Sequence, residues 1–439
     1  MKSGRPQAKL ITQFGLQDLV YLVLQTTIVA KIINGGIGME KIPKIKIIHL
    51  STSHTGGAGI AARRLSQFLR SQELNSIFVA LEDKSYETRQ GEISIRRSIT
   101  KKTFSLILTL FNKYLTKQTY FSVFSSSAIN IKQLTSFGSP NSTIFHVHNW
   151  FNLLSIKSFD KLLKSGYQII FTLHDQRLFT GGCHYSLHCS GFTSKCGICP
   201  QLGFPLNRFT TRNLLKISKI FNKYQSQITI VVPSKWLLNL SKSSMLLKES
   251  FVTYIPNVHF GFEILTRERG NIPTSANKSL TLGIANVEKT SNLKGTDLVD
   301  QLILKLDSEK LSTKFLYLRD FNKNKLNLTS FWAQIDFLLV LSRADNSPNV
   351  IHEAKILGIP VIATSVGGIT ELLNKNYDFL INPEDAVEDT LRVIRNISSM
   401  QMTDSSSRIE QDYSSLSKLN ESNHLELYKL ICKRFLKVS

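Results

Sequence analysis

Short apolar runs alternate with helical patterns twice along this chain, and that rhythm leaves few folds open. The first series begins at Ile45. Lys46–Leu50, Ser76–Ala80, Thr143–Val147, Gln168–Leu173 and Ile228–Val232 read as buried strands. Between them lie amphipathic patterns such as Ile60–Ser71, which puts Ile60, Ala61, Leu65, Phe68 and Leu69 on one side. The second series runs through Leu280–Ala285, a helix from about Thr296, Phe315–Leu318, Phe337–Leu341 and Ile359–Ala363. Strands separated by helices pair in parallel and need cover on both faces. The expectation is therefore an α/β chain with two Rossmann-like, doubly wound domains, residues 45–265 and 279–410, facing each other across a cleft. A polar stretch near 267–278 reads as the linker, and Asp404–Ser417 as a solvated connection. Residues 411–439 supply a final helix, Leu425–Leu436, expected to pack back on the first domain.

Composition narrows the partners. The 439 residues are 42% apolar, which is globular, and carry 54 Lys and Arg against 32 Asp and Glu, a net charge of +22. Such a surface suits phosphorylated substrates, anionic lipid or nucleic acid. No nucleic-acid-binding signature accompanies the charge, so nucleic acid is set aside. Arg96–Lys117 is a basic amphipathic helix with Phe104, Leu106, Ile107, Leu110, Phe111 and Leu115 among its cations. It fits peripheral contact with an anionic membrane, or a solvated helix packed by its apolar face. Residues 1–44 precede the fold. Leu19–Ile33 is apolar but holds Gln25, Thr26, Thr27 and Lys31, too short and polar to span a bilayer. It reads as an amphipathic segment or as an artefact of an upstream start codon. With no clear export signal, the expected location is the cytoplasm, at the inner face of the membrane.

The chemistry concentrates in Ser342–Glu371. Asn346-Ser347-Pro348-Asn349 is turn chemistry leading into a helix over Asn349–Leu357, ended by Gly358. Asp345 precedes that helix and Glu353 lies one turn inside it. A helix start binds phosphate through its open N–H groups, and acids accept from sugar hydroxyls. This is the chemistry of a nucleotide-sugar site. Upstream, His54-Thr55-Gly56-Gly57-Ala58-Gly59 is a glycine loop between strand and helix. His146 and His148 share one strand face. Cys183, Cys189, Cys196 and Cys199 hold four of the five cysteines; absent an export signal, a structural zinc is a candidate and disulfides are disfavoured.

The stretch Ser342–Glu371, with Gly-Ile-Pro-Val-Ile-Ala-Thr and Val-Gly-Gly-Ile-Thr-Glu inside it, resembles the acid-x7-acid signature of GT-B glycosyltransferases in the large retaining family 4. The Gly-Gly-Ala loop, Thr172-Leu173-His174-Asp175 and the cysteine run are similar to the colanic-acid and exopolysaccharide members. The resemblance covers about Ile45 to Ser439. It implies transfer of a hexose from a UDP- or GDP-linked sugar to a glycan or lipid-linked acceptor, with no cofactor required for catalysis. It places His174 at the reacting sugar, and His148 and Asn149 on the acceptor side. Lys294 would neutralise the leaving phosphate, helped by Gly56 and Gly57. Glu353 would hold the ribose, Asn349 and Val350 would offer N–H groups to the diphosphate, and Gly367 and Gly368 would pack close to the donor. Two positions depart from the family pattern: Asp345 stands where most members have Glu, and Asn286 where many have Arg. The alternatives are a non-catalytic GT-B scaffold and a sugar-nucleotide epimerase or hydrolase.

Overall fold

A computed structural model describes residues 45–83, 86–115, 127–202, 207–262, 279–285, 292–321, 325–399 and 406–438. The N-terminal extension, the polar linker and Asn286 lie outside these residues. Each βα series closes into its own parallel sheet. In the first lobe β1 (Lys46–Leu50), β2 (Asn75–Leu81), β3 (Glu92–Ile95), β4 (Thr143–Val147), β5 (Gln168–Thr172), β6 (Ile228–Val232) and β7 (Val252–Tyr254) lie in the order β3-β2-β1-β4-β5-β6-β7. In the second, β8 (Leu280–Ile284), β9 (Thr313–Tyr317), β10 (Phe337–Val340), β11 (Val361–Thr364) and β12 (Phe379–Ile381) lie in the order β12-β11-β10-β8-β9.

The winding reverses between β1 and β4 in one sheet and between β8 and β10 in the other. Ligands of open α/β sheets collect beyond the strands' carboxyl ends at such points. Both reversals carry the loops singled out above.

Strand alternation feeds two cores per lobe. In the first lobe Ile48, Leu50, Phe145, Val147 and Phe171 pack to one side, Ile47, Ile144, Ile170 and Val231 to the other. The second lobe divides likewise, with Leu338 and Val361 against Leu339 and Ile362. Each such side chain removed from water contributes about 1.5–3 kcal/mol.

The C-terminal helix differs from its sequence reading. It runs Ser406–Val438, so the stretch read as a solvated connection is helical from Ser406. Ile409, Tyr413, Ser417, Asn420, His424, Leu427, Tyr428 and Ile431 are buried at helical spacing. The stripe mixes polar with apolar residues, which hid it in the composition. Tyr413 joins a second-lobe core, while Leu427, Tyr428, Ile431 and Cys432 pack with Ile47 and Leu65 of the first lobe. One helix thus spans both lobes.

Candidate active site

The second-lobe half of the site forms where the loops after β8 and β10 meet. The helix Asn349–Ile356 starts behind Pro348 with no side-chain cap and no acid in its first turn. Just before it, Asp345 is 7% exposed and accepts from the Asn346 N–H at 2.8 Å through Oδ1. Its Oδ2 pairs with Lys294 Nζ at 2.5 Å. Gly367 has φ 55°, and a Cβ there would stand 1.9 Å from the Asp345 carbonyl oxygen. A Cβ on Gly368 would stand 1.9 Å from the Asn346 carbonyl oxygen. The Gly-Gly turn therefore presses directly on the acid's own backbone and receives it through Gly368 N–H, 3.1 Å from the Asp345 carbonyl oxygen. Only residues without a side chain permit this approach.

The first-lobe half lies opposite, and the lobes touch. Arg64, from the helix Gly57–Ser71, pairs with Glu353 at 2.7 Å. Asn349 Nδ2 donates to the Gly57 carbonyl at 3.0 Å, and Asn257 Nδ2 donates to Asn349 Oδ1 at 3.3 Å. Asn346 Nδ2 donates to the Leu173 carbonyl at 3.1 Å, next to His174, and Asn346 Oδ1 accepts from Ser234 Oγ at 2.5 Å. Glu371 accepts from the Lys235 and Trp236 N–H groups at 2.7 and 2.5 Å, so a second-lobe acid caps a first-lobe helix. Glu371 thus holds the opposite lobe.

Arg64, Ser234, Asn346 and Asn257 were not among the expected site residues. Pro233-Ser234-Lys235-Trp236 carried a helix-start signal; Arg64 carried none beyond its place after the glycine loop. Gly56 and Gly57 are exposed, with nothing nearer than 3.9 Å to a Cβ at either, and Gly56 N–H donates to Ser53 Oγ at 3.3 Å. The conformational need for glycine in this loop lies at Gly59, where a Cβ would meet the Ser53 carbonyl oxygen at 2.0 Å.

Beneath the loops the first lobe is rich in histidine. β1 and β4 pair with His49 opposite His146. His146 meets Tyr428 Oη at 2.5 Å and Thr172 Oγ1 at 2.7 Å, a structural position. His148 lies between His49 and His174, each at 3.1 Å. Burial holds His146 and His148 well below the usual imidazole range, and the neighbouring rings push further down. His174 keeps some exposure, yet its packing lowers it to about 4. Asn149 is tied into its turn: its Oδ1 accepts from Phe151 N–H at 3.2 Å and Thr52 Oγ1 at 3.3 Å.

The four cysteines are free thiols that neighbour one another, with Cys199 packed against Cys183. Among the described residues, the set of three or more His, Cys, Asp or Glu with ligand atoms within 4.8 Å is His49, His146 and His148, not the cysteines. Burial pushes the Cys183 thiol up to about 12 and Cys196 to about 11. Leu202 packs against the same Cys183 side chain.

Residues 301–399 match the family profile Glycosyl transferases group 1. The chain is also 25% identical over 358 residues to WcaC of Escherichia coli (strain K12), named for colanic acid biosynthesis glycosyl transfer, covering 76% of this chain and 86% of that one. This chain is a glycosyltransferase. Its fold is GT-B. The structure is similar to sucrose-phosphate synthase from Thermosynechococcus elongatus, with TM-score 0.57 at 14% identity over 88% of this chain and 99% of that one. It is similar to Anabaena HepE in complex with UDP and glucose, with TM-score 0.55 at 13% identity over 87% of this chain and 99% of that one. At such identities the structural likeness is one of fold. For the glycosyltransferase the two doubly wound lobes and the loops between them acquire a common purpose, and the acids and Lys294 sit where the winding reverses.

Proposed function

We propose that this glycosyltransferase moves a hexose, with retention, from a UDP- or GDP-linked sugar to a glycan or lipid-linked acceptor in surface polysaccharide synthesis. The observation that carries the reading is the meeting of Lys294, Asp345 and an uncapped helix start at the second lobe's switch point. Lys294 neutralises the departing diphosphate, and the Asn349 and Val350 N–H groups donate to it. Preorganised donors of this kind contribute about 3 kcal/mol each to the transition state. Glu353 holds the ribose hydroxyls. Asp345 orients the sugar, and His174 meets it from the first lobe. The acceptor hydroxyl attacks the face the diphosphate leaves, and the leaving phosphate oxygen takes its proton. The naming of WcaC for colanic acid synthesis and the UDP and glucose bound to HepE support the substrate class.

Contact with an anionic membrane belongs to the same reading. In the helix Ile99–Leu115, Phe104, Leu106, Ile107 and Leu110 are 54–59% exposed, with Lys101 and Lys102 beside them. The apolar face read as a candidate packing face is thus left open to solvent. No helix of the described residues is long and apolar enough to cross a membrane.

The test is transfer from labelled UDP- and GDP-sugars to lipid-linked acceptors. Loss of product in Lys294→Ala and Glu353→Ala is expected; undiminished transfer in both would overturn the site.

A further inference from the structure

Three histidines of the first lobe form a continuous hydrogen-bonded row. His49 Nδ1 meets His148 Nε2 at 3.1 Å, and His148 Nδ1 meets His174 Nε2 at 3.1 Å. His49 is wholly buried, and its Nε2 has no hydrogen-bond partner. Burial keeps all three rings neutral at ordinary pH.

A neutral imidazole carries one N–H and one lone pair, so the row can run in only two directions. Run inward, from His174 Nε2–H to His148 and from His148 Nε2–H to His49, it places the last proton on His49 Nε2. That leaves a buried N–H with nothing to bond. Run outward, it leaves a lone pair unused at the same atom. Buried orphan donors are the rarer and costlier of the two. The outward direction therefore wins: His49 Nδ1–H donates to His148 Nε2, and His148 Nδ1–H donates to His174 Nε2.

We propose that this row is a tautomer relay in which His49 and His148 are positioning residues that fix His174 as a neutral ring protonated at Nδ1. The inference rests on the reading that His174 meets the reacting sugar. Its consequence there is definite. Both nitrogens of His174 are assigned, Nε2 to accepting from His148 and Nδ1 to donating. The ring can donate to a sugar oxygen but has no lone pair left to take the acceptor's proton, which leaves that role to the departing phosphate.

The same rings could be taken for a metal site, since the nitrogens of His49, His146 and His148 lie within 4.8 Å. However, both nitrogens of His146 and of His148 already make hydrogen bonds, and no carboxylate joins the set to balance a cation's charge.

The test uses the full chain, labelled with ¹⁵N-histidine and studied without donor or acceptor. Proton–nitrogen spectra are expected to show His174 protonated at Nδ1 and bare at Nε2. His49→Phe removes the donor at similar shape and should convert His174 to a mixture of tautomers, with kcat reduced about tenfold. His49→Asn retains a donor near the Nδ1 position and should restore both. A wild-type spectrum with the proton on Nε2 overturns the relay, and needs no variant to fold. So does an unchanged His174 spectrum in folded His49→Phe, or one equivalent of zinc by elemental analysis that is lost in His146→Ala. Because the spectrum involves no turnover, it stands apart from the substrate reading, which fails separately if His174→Ala transfers sugar at the wild-type rate.

Discussion

Arg64 of the first lobe and Glu353 of the second, 289 residues apart in the chain, form an ion pair at 2.7 Å with both side chains nearly buried. The acid proposed to hold the donor's ribose is thus held by the opposite lobe in the free protein. Arg64 occupies Glu353 Oε1 and also meets His259 Nδ1 at 3.3 Å and the Phe262 ring at 5.2 Å. Removing the guanidinium leaves the Glu353 carboxylate without this partner and with only 10% exposure to water. Arg64→Met is therefore expected to raise the donor KM about tenfold, equivalent to about 1.4 kcal/mol, and to lower the melting temperature because a nearly buried carboxylate loses its partner. Steady-state kinetics and calorimetry check both. An unchanged KM would mean that the pair serves lobe contact alone.

The glycines make opposite predictions. Gly367 has φ 55° and no room for a Cβ against Asp345, so Gly367→Ala should cost more than about 1 kcal/mol and displace Asp345. Lower thermal stability and lost transfer are expected together. Gly57 opens a helix with nothing within 4 Å of a Cβ, so Gly57→Ala should leave stability unchanged or slightly raised, by about 0.5 kcal/mol. A drop in melting temperature for Gly57→Ala would refute this account of the loop.

These cases show what the sequence could and could not disclose. The fold was legible because buried parallel strands announce themselves as β-branched runs between amphipathic helices. Asp345, Lys294 and Gly367 were legible because their chemistry is local: each stands in a loop beside a strand end, in an ordered set of residue types. Short edge strands such as Glu92–Ile95 and Phe379–Ile381 lack that signal. Arg64, Asn346 and Glu371 act only through the opposite lobe, and nothing along the chain marks which residues will meet across a gap.

Membrane contact can be tested on the helix Ile99–Leu115. Phe104→Glu combined with Ile107→Glu places two acids on its exposed apolar face without touching a core. Sedimentation with vesicles containing anionic lipid is expected for the wild-type chain and lost in the variant, while transfer to a soluble acceptor persists. Equal sedimentation of both would remove this helix as the contact.

Lys355 and Asp378 form a fully buried ion pair in the second lobe, with Asp378 Oδ1 also accepting from Val361 N–H at 2.8 Å and Oδ2 from Asn374 N–H at 2.8 Å. Removing one partner strands the other charge, so Lys355→Met should destabilise by about 3–5 kcal/mol. Adding Asp378→Asn should recover part of that loss, because the stranded charge is gone. Denaturant unfolding of both variants checks the order, and a double variant weaker than the single one contradicts it.

Buried histidines set the acid limit of stability. Burial lowers His424 to about 4, and burial with the nearby Arg64 charge lowers His352 to about 3, against about 6.5 in an unfolded chain. Between those values the unfolded chain binds protons that the folded one refuses. Stability is therefore fully present above pH 6.5 and is lost as pH falls toward 4, each such ring adding a slope of up to about 1.4 kcal/mol per pH unit. The Asp175 carboxyl acts in the same direction at lower pH: burial pushes it up, but Arg177 at 2.7 Å outweighs that and holds it below its ordinary value. His424 Nε2 donates to the Pro256 carbonyl at 3.1 Å, a bond that a glutamine amide can replace without titrating. Urea midpoints should fall steeply from pH 6.5 to 4.5 in the wild-type chain and less steeply in His424→Gln. Parallel curves for the two proteins would show that His424 takes up its proton in the folded state as readily as in the unfolded one.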